Sequence, residues 1–137
     1  AQFERLLVIA RREDIVARDR GDLALAAQLG PRFSRGKRMA TVAPTLDPVR
    51  ALFAGKQEMD WIEAPDPIDW LARNLQPTDL PLFVGLAAAR EALRRVPSLV
   101  DGRCLAIQGP ARAPARQRPG FVVSPIIAGR SLKPRPA

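Results

Sequence analysis

The chain has 137 residues, enough for one domain with a packed core, and 47% of them are apolar. It holds 22 Lys and Arg against 14 Asp and Glu, a single cysteine, and no histidine or tyrosine. These counts exclude an intramolecular disulfide, a Cys/His metal site and any serine or cysteine nucleophile paired with a histidine base.

The first element predicted is a buried strand, Leu6 to Ala10, a compact and partly branched apolar run between charges. Glu4, Arg5, Arg11 and Arg12 bracket that run too closely for a secretory signal. The chain opens on Ala1, which fits a processed product or a fragment. A helical stretch follows from Glu13 to Leu29, with Gly21-Asp22 as an interruption, Asp22 as the cap of a second short helix, and Gly30-Pro31 as the stop. Residues Arg32 to Arg38 read as a basic loop. Met39 to Ala43 reads as a second strand, ended by Pro44.

Asp47-Pro48 predicts a helix start, with Asp47 as N-cap and Gly55 just past the end. Asp60 to Ala64 is a third strand, and Asp66-Pro67 repeats the capping signal for Ile68 to Leu75. Leu80 to Leu86 is a fourth strand despite Pro81. Ala87 to Val96 has the best helix propensity in the chain and stops at Pro97. Cys104 to Ile107 is a fifth strand. Gly109 to Gly120, rich in Pro, Arg and Ala, is a loop or polyproline-like segment. Phe121 to Ile127 is apolar enough to rejoin the fold, with Pro125 marking an edge.

Alternating strands and helices imply an α/β domain with a partly parallel sheet flanked by helices; the alternative is a mainly helical protein. The expected division is a globular body over residues 1–109 and a basic Pro/Arg-rich segment over 110–137, with 121–129 returning to the sheet. No stretch of 18 apolar residues occurs, so no membrane span is expected. The lone thiol fits the cytoplasm or another reducing compartment.

Charge is unevenly placed. Beyond Asp101 there is no acidic residue, while Arg103, Arg112, Arg116, Arg118, Arg130, Lys133 and Arg135 all follow it. Those 7 cations leave 15 against 14 acids in the rest of the chain, so the net +8 divides into +1 and +7. Arg32, Arg35, Lys37 and Arg38 form a second basic focus. Arginine suits both acidic protein surfaces and phosphates through its bidentate fork.

Catalytic chemistry is poorly provided. Cys104 within Arg-Cys-Leu-Ala-Ile reads as a small buried hydrophobe. Gly55-Lys56 lacks the upstream glycine and the following hydroxyl of a phosphate loop, and the first strand leads into Arg11-Arg12-Glu13-Asp14 rather than a glycine-rich turn. Glu58, Asp60, Glu63, Asp66 and Asp69 fall within twelve positions. Their spacing matches no calcium loop, and they read as a solvated face plus helix caps.

The sequence therefore predicts a non-enzymatic interaction or regulatory module, with no catalytic residues, metal or cofactor. It docks onto an acidic protein surface or a larger complex through Arg112, Arg116, Arg118, Arg130, Lys133 and Arg135. Arg32, Arg35, Lys37 and Arg38 assist, and Trp61 and Trp70 are apolar anchors. The alternatives are a nucleic-acid-binding component and a degenerate nucleotide-binding-like regulatory domain.

Overall fold

The structure, a computed structural model, describes residues 3–16, 21–53, 58–99, 103–108 and 122–125. Its strands are β1 (Arg5–Ile9), β2 (Arg38–Ala43), β3 (Asp60–Glu63), β4 (Asp79–Phe83), β5 (Leu105–Gln108) and β6 (Val122–Pro125). The helices are α1 (Arg12–Val16), α2 (Gly21–Ser34), α3 (Asp47–Leu52), α4 (Pro67–Asn74) and α5 (Leu86–Arg95). One six-stranded sheet runs in the order β3-β2-β1-β4-β5-β6. β1 to β5 are parallel and β6 pairs antiparallel with β5. This is the doubly wound α/β layout, with its switch point between β1 and β4.

Alternation along the strands builds two cores. Leu7, Ile9, Ala40, Val42, Phe83 and Ala106 face α4 and α5, where Ile68, Leu71, Ala88, Ala89 and Ala92 complete one cluster. Leu6, Val8, Met39, Leu82 and Ile107 face the other side, against Ile15 of α1, Leu23 and Ala26 of α2, and Val49 of α3. Because β1, β2 and β4 are covered on both faces, they read as continuous apolar runs rather than as alternating ones.

The expected stop at Gly30-Pro31 is corrected: α2 continues through both residues to Ser34. Pro31 has no N–H for the helical bond back to Ala27, a cost the packing must offset. Leu23, Ala26, Gly30 and Ser34 are all buried and recur at helical spacing, so continuation preserves one stripe. Gly30 lets that stripe approach β2 closely, since a Cβ there would stand 3.0 Å from Met39 Cε. The basic loop expected from Arg32 is likewise shorter. Arg32 lies in the last turn of α2 and Arg38 already belongs to β2. The second helix expected after α1 is present, but it is longer, and Asp22 lies within its first turn.

The N-cap of α3 is Leu46, not Asp47, and no side-chain bond caps it. Asp66 does cap α4, accepting from Asp69 N–H at 3.1 Å. Pro81 sits inside a central strand without breaking a ladder. Val84 N–H donates to Ile9 O, so alternation of the backbone turns the nitrogen of Pro81 towards β5. The β4–β5 pairing begins only at Leu82 and Leu105, so Pro81 faces no strand partner on that side.

Candidate functional site

Doubly wound sheets bind ligands in the crevice beyond the carboxyl ends of their strands, at the switch point. Here that place lies between Ala10-Arg11, after β1, and Val84-Gly85, after β4. Arg11 occupies it. Its guanidinium Nη1 donates to Glu91 Oε1 of α5 at 2.9 Å, while Nη2 and Nε reach the two carboxylate oxygens of Asp14 at 3.2 Å each. The Arg11 backbone N–H donates to Asp14 Oδ2 at 2.8 Å, which closes the β1–α1 turn.

The pairing continues outward. Glu91 also accepts from Arg95, and Arg95 Nη2 donates to Asp66 Oδ2 at 2.6 Å. Asp14, Arg11, Glu91, Arg95 and Asp66 thus form one chain of alternating charge that ties the β1–α1 turn to α5 and to the N-cap of α4. Burial works to lower the pKa of Arg11, but its bonds to Asp14 and Glu91 outweigh that and hold the group charged. Burial raises the Asp14 pKa, with Arg11 opposing. Hydrogen bonds from Arg11 to Glu91, and from Arg95 to Asp66, lower those two carboxyls.

Gly85 precedes α5 with φ 98°, a conformation that side chains rarely adopt. A Cβ built on it would stand 3.6 Å from Asp14 Oδ1 and 3.8 Å from Asp22 Oδ2. Two of the chain's own carboxylates therefore stand beside the amino end of α5, where the unpaired N–H groups of a helix terminus favour an anion.

The acidic run is divided by the sheet. Asp60 begins β3, Glu63 ends it, Asp66 caps α4, and Asp69 pairs with Arg73 one turn on. Among the described residues no group of three acidic or cysteine side chains is placed to hold a metal ion. Trp61 and Trp70 are half-buried against opposite cores, so they do not form one anchor. Trp61 meets Phe53 edge-on at 6.0 Å, with the Arg50 guanidinium 5.5 Å from its ring centre.

Arg32, Arg35, Lys37 and Arg38 gather where α2 turns into β2, at the amino edge of the sheet, opposite the switch point. Arg112, Arg116, Arg118, Arg130, Lys133 and Arg135 lie outside the described residues. Of the last part of the chain the structure describes β6, which pairs with β5 so that Gln108 faces Val122 and Leu105 faces Pro125.

Two features of the structure have no local signal in the sequence. The ion-pair chain joins residues up to 80 positions apart. The other is a buried clamp, in which Arg5 Nε and Nη2 donate to the two oxygens of Asp79 at 3.0 and 3.1 Å and join the starts of β1 and β4. No local pattern announces either one.

Comparison with protein-family models, curated proteins and solved structures yields no match. No helix among the described residues is long and apolar enough to cross a membrane.

Proposed function

We propose that this chain is a protein-interaction module that docks onto an acidic protein surface within a larger assembly. Its cationic residues beyond β5 make the contact. The supporting observation is the occupied switch point. Asp14 and Asp22 stand beside Gly85, and Arg11 is fastened across the crevice to Glu91. An incoming anion would meet carboxylates at the amino end of α5, where the helix terminus would otherwise offer bare N–H groups. The body keeps the layout of such a domain while its own side chains fill the ligand position. Beyond β5 the sequence has six cations, Arg112, Arg116, Arg118, Arg130, Lys133 and Arg135, and no acidic residue, and these are the charges that recruit the partner.

Prolines in these segments lower the entropy lost when an extended chain is ordered on binding. The buried Cys104 suits a reducing compartment such as the cytoplasm, where it carries no structural disulfide.

The experiment compares the full chain with two charge-reversed variants, Arg112→Glu/Arg116→Glu/Arg118→Glu and Arg130→Glu/Lys133→Glu/Arg135→Glu. Binding to fluorescent poly-glutamate and to a mixed-sequence DNA duplex is followed by anisotropy across a salt series. Binding of poly-glutamate that is lost in at least one variant supports the proposal. Preference for the duplex, with log affinity falling by roughly 0.9 per phosphate contacted for each unit of log salt, replaces it with nucleic-acid binding. Unchanged binding in both variants overturns it.

A further inference from the structure

The turn from α2 into β2 is left-handed at both of its central positions. Arg35 has φ 53°, the one non-glycine with positive φ among the described residues, and Gly36 follows at 79°. Lys37 N–H donates to Ser34 O at 2.8 Å, so the four residues form a turn with both central positions left-handed, the type I′ pattern. No atom lies within 4 Å of a Cβ built on Gly36, so the surroundings are open there.

The turn lines a cavity of about 350 Å³ at the amino edge of the sheet. Lys37 and Arg38 border it from the turn and β2, Glu58 from the segment before β3, and Asp60 from the start of β3. The volume falls in the range used for small ligands, roughly 300–1,000 Å³. Arg38 Nη2 and Asp60 Oδ2 are 3.7 Å apart and both side chains are more than half exposed. A pair so loose and so wet contributes little and exchanges partners readily.

Two cations and two carboxylates around one cavity disfavour a ligand of a single sign. A bare anion meets Glu58 and Asp60, and a bare cation meets Lys37 and Arg38. A ligand carrying both signs has a partner for each. Pro31 and Met39 add apolar lining. We propose that this cavity binds a small zwitterion, an α-amino acid with an aliphatic side chain. Its carboxylate is held by Lys37 and Arg38 and its ammonium by Glu58 and Asp60. The proposal uses none of the cations beyond β5 and does not depend on the docking function.

The test is an amide-resolved NMR titration of the full chain with L-leucine, isocaproate and isoamylamine. The last two lack the ammonium and the carboxylate respectively. Leucine should give saturable shifts at Gly36, Lys37 and Asp60, with each analogue at least about tenfold weaker, the loss of one charged contact. Lys37→Ala and Asp60→Asn should each weaken leucine by about tenfold. Both side chains are exposed, so thermal unfolding should be unchanged and loss of fold should not confuse the result. Absence of saturable shifts, equal binding of isocaproate, or full retention of leucine in both variants overturns the proposal.

Discussion

Arg11 and Glu91 lie 80 positions apart in the chain, and their side chains meet at 2.9 Å. That contact fastens the turn after β1 to α5 and fills the crevice in which this sheet layout would otherwise present a ligand site. Glu91 serves two cations, Arg11 on one side and Arg95 on the other.

Glu91→Ala should therefore destabilise the domain more than removal of an ordinary surface acid. Arg11 keeps Asp14 but loses its bridge to α5, and Arg95 keeps only Asp66. The expected cost is about 1–3 kcal/mol, the range for stripping a partner from a charged, part-buried group. Urea unfolding should show a lower midpoint at an unchanged slope.

The Arg5–Asp79 clamp should be more sensitive still. The Asp79 side chain is 2% exposed, and its oxygens also accept from Gln76 N–H. Asp79→Ala leaves Arg5 unmatched at the start of β1 and should cost about 3–5 kcal/mol. Replacing both residues with leucine should cost less than the single change, because no charge is then left without its counterpart. Denaturant midpoints of the three proteins decide this.

Acid should weaken the domain through Asp66 and Glu91. Both carboxyls have folded pKa values below their ordinary 3.8 and 4.5. Their stabilisation is complete above those ordinary values and is lost as pH falls through the lowered folded ones. Asp14 acts in the opposite sense. Its folded pKa is raised, so protonation on the way down relieves a burial penalty. Asp66→Asn should flatten the acid limb of the stability profile, and Asp14→Asn should steepen it. Thermal unfolding between pH 2 and pH 6, roughly the span over which carboxyls titrate, reads both effects.

Gly85→Ala should be destabilising through the backbone rather than through a clash. The contacts a Cβ would make, 3.6 and 3.8 Å, are ordinary van der Waals distances, whereas φ 98° with ψ 144° is a glycine conformation. The expected loss is about 1–3 kcal/mol. Reading by denaturant unfolding, a change within experimental error would show that α5 can start in another conformation.

Much of the architecture was legible because its signals are local. The run Leu6 to Ala10, the Asp66-Pro67 cap and the Ala-rich stretch ending at Pro97 each carry their own period or punctuation, and each became the expected element. Gly30-Pro31 misled because a stop signal expresses backbone preference alone. The packing of Gly30 against Met39, with the buried stripe extending to Ser34, outweighed it. The acidic run from Glu58 to Asp69 is contiguous in sequence, yet strand and helix geometry sends its members to both ends of β3 and into α4.

Composition and local pattern were sufficient for the α/β class, for most of its elements and for the concentration of positive charge beyond Asp101, because each is a property of neighbouring residues. Tertiary structure alone decided that Arg11 fills the switch point, that Arg5 clamps Asp79, and that Lys37, Arg38, Glu58 and Asp60 line one cavity. Those pairings follow from strand order, and strand order brings together side chains that no window along the chain contains.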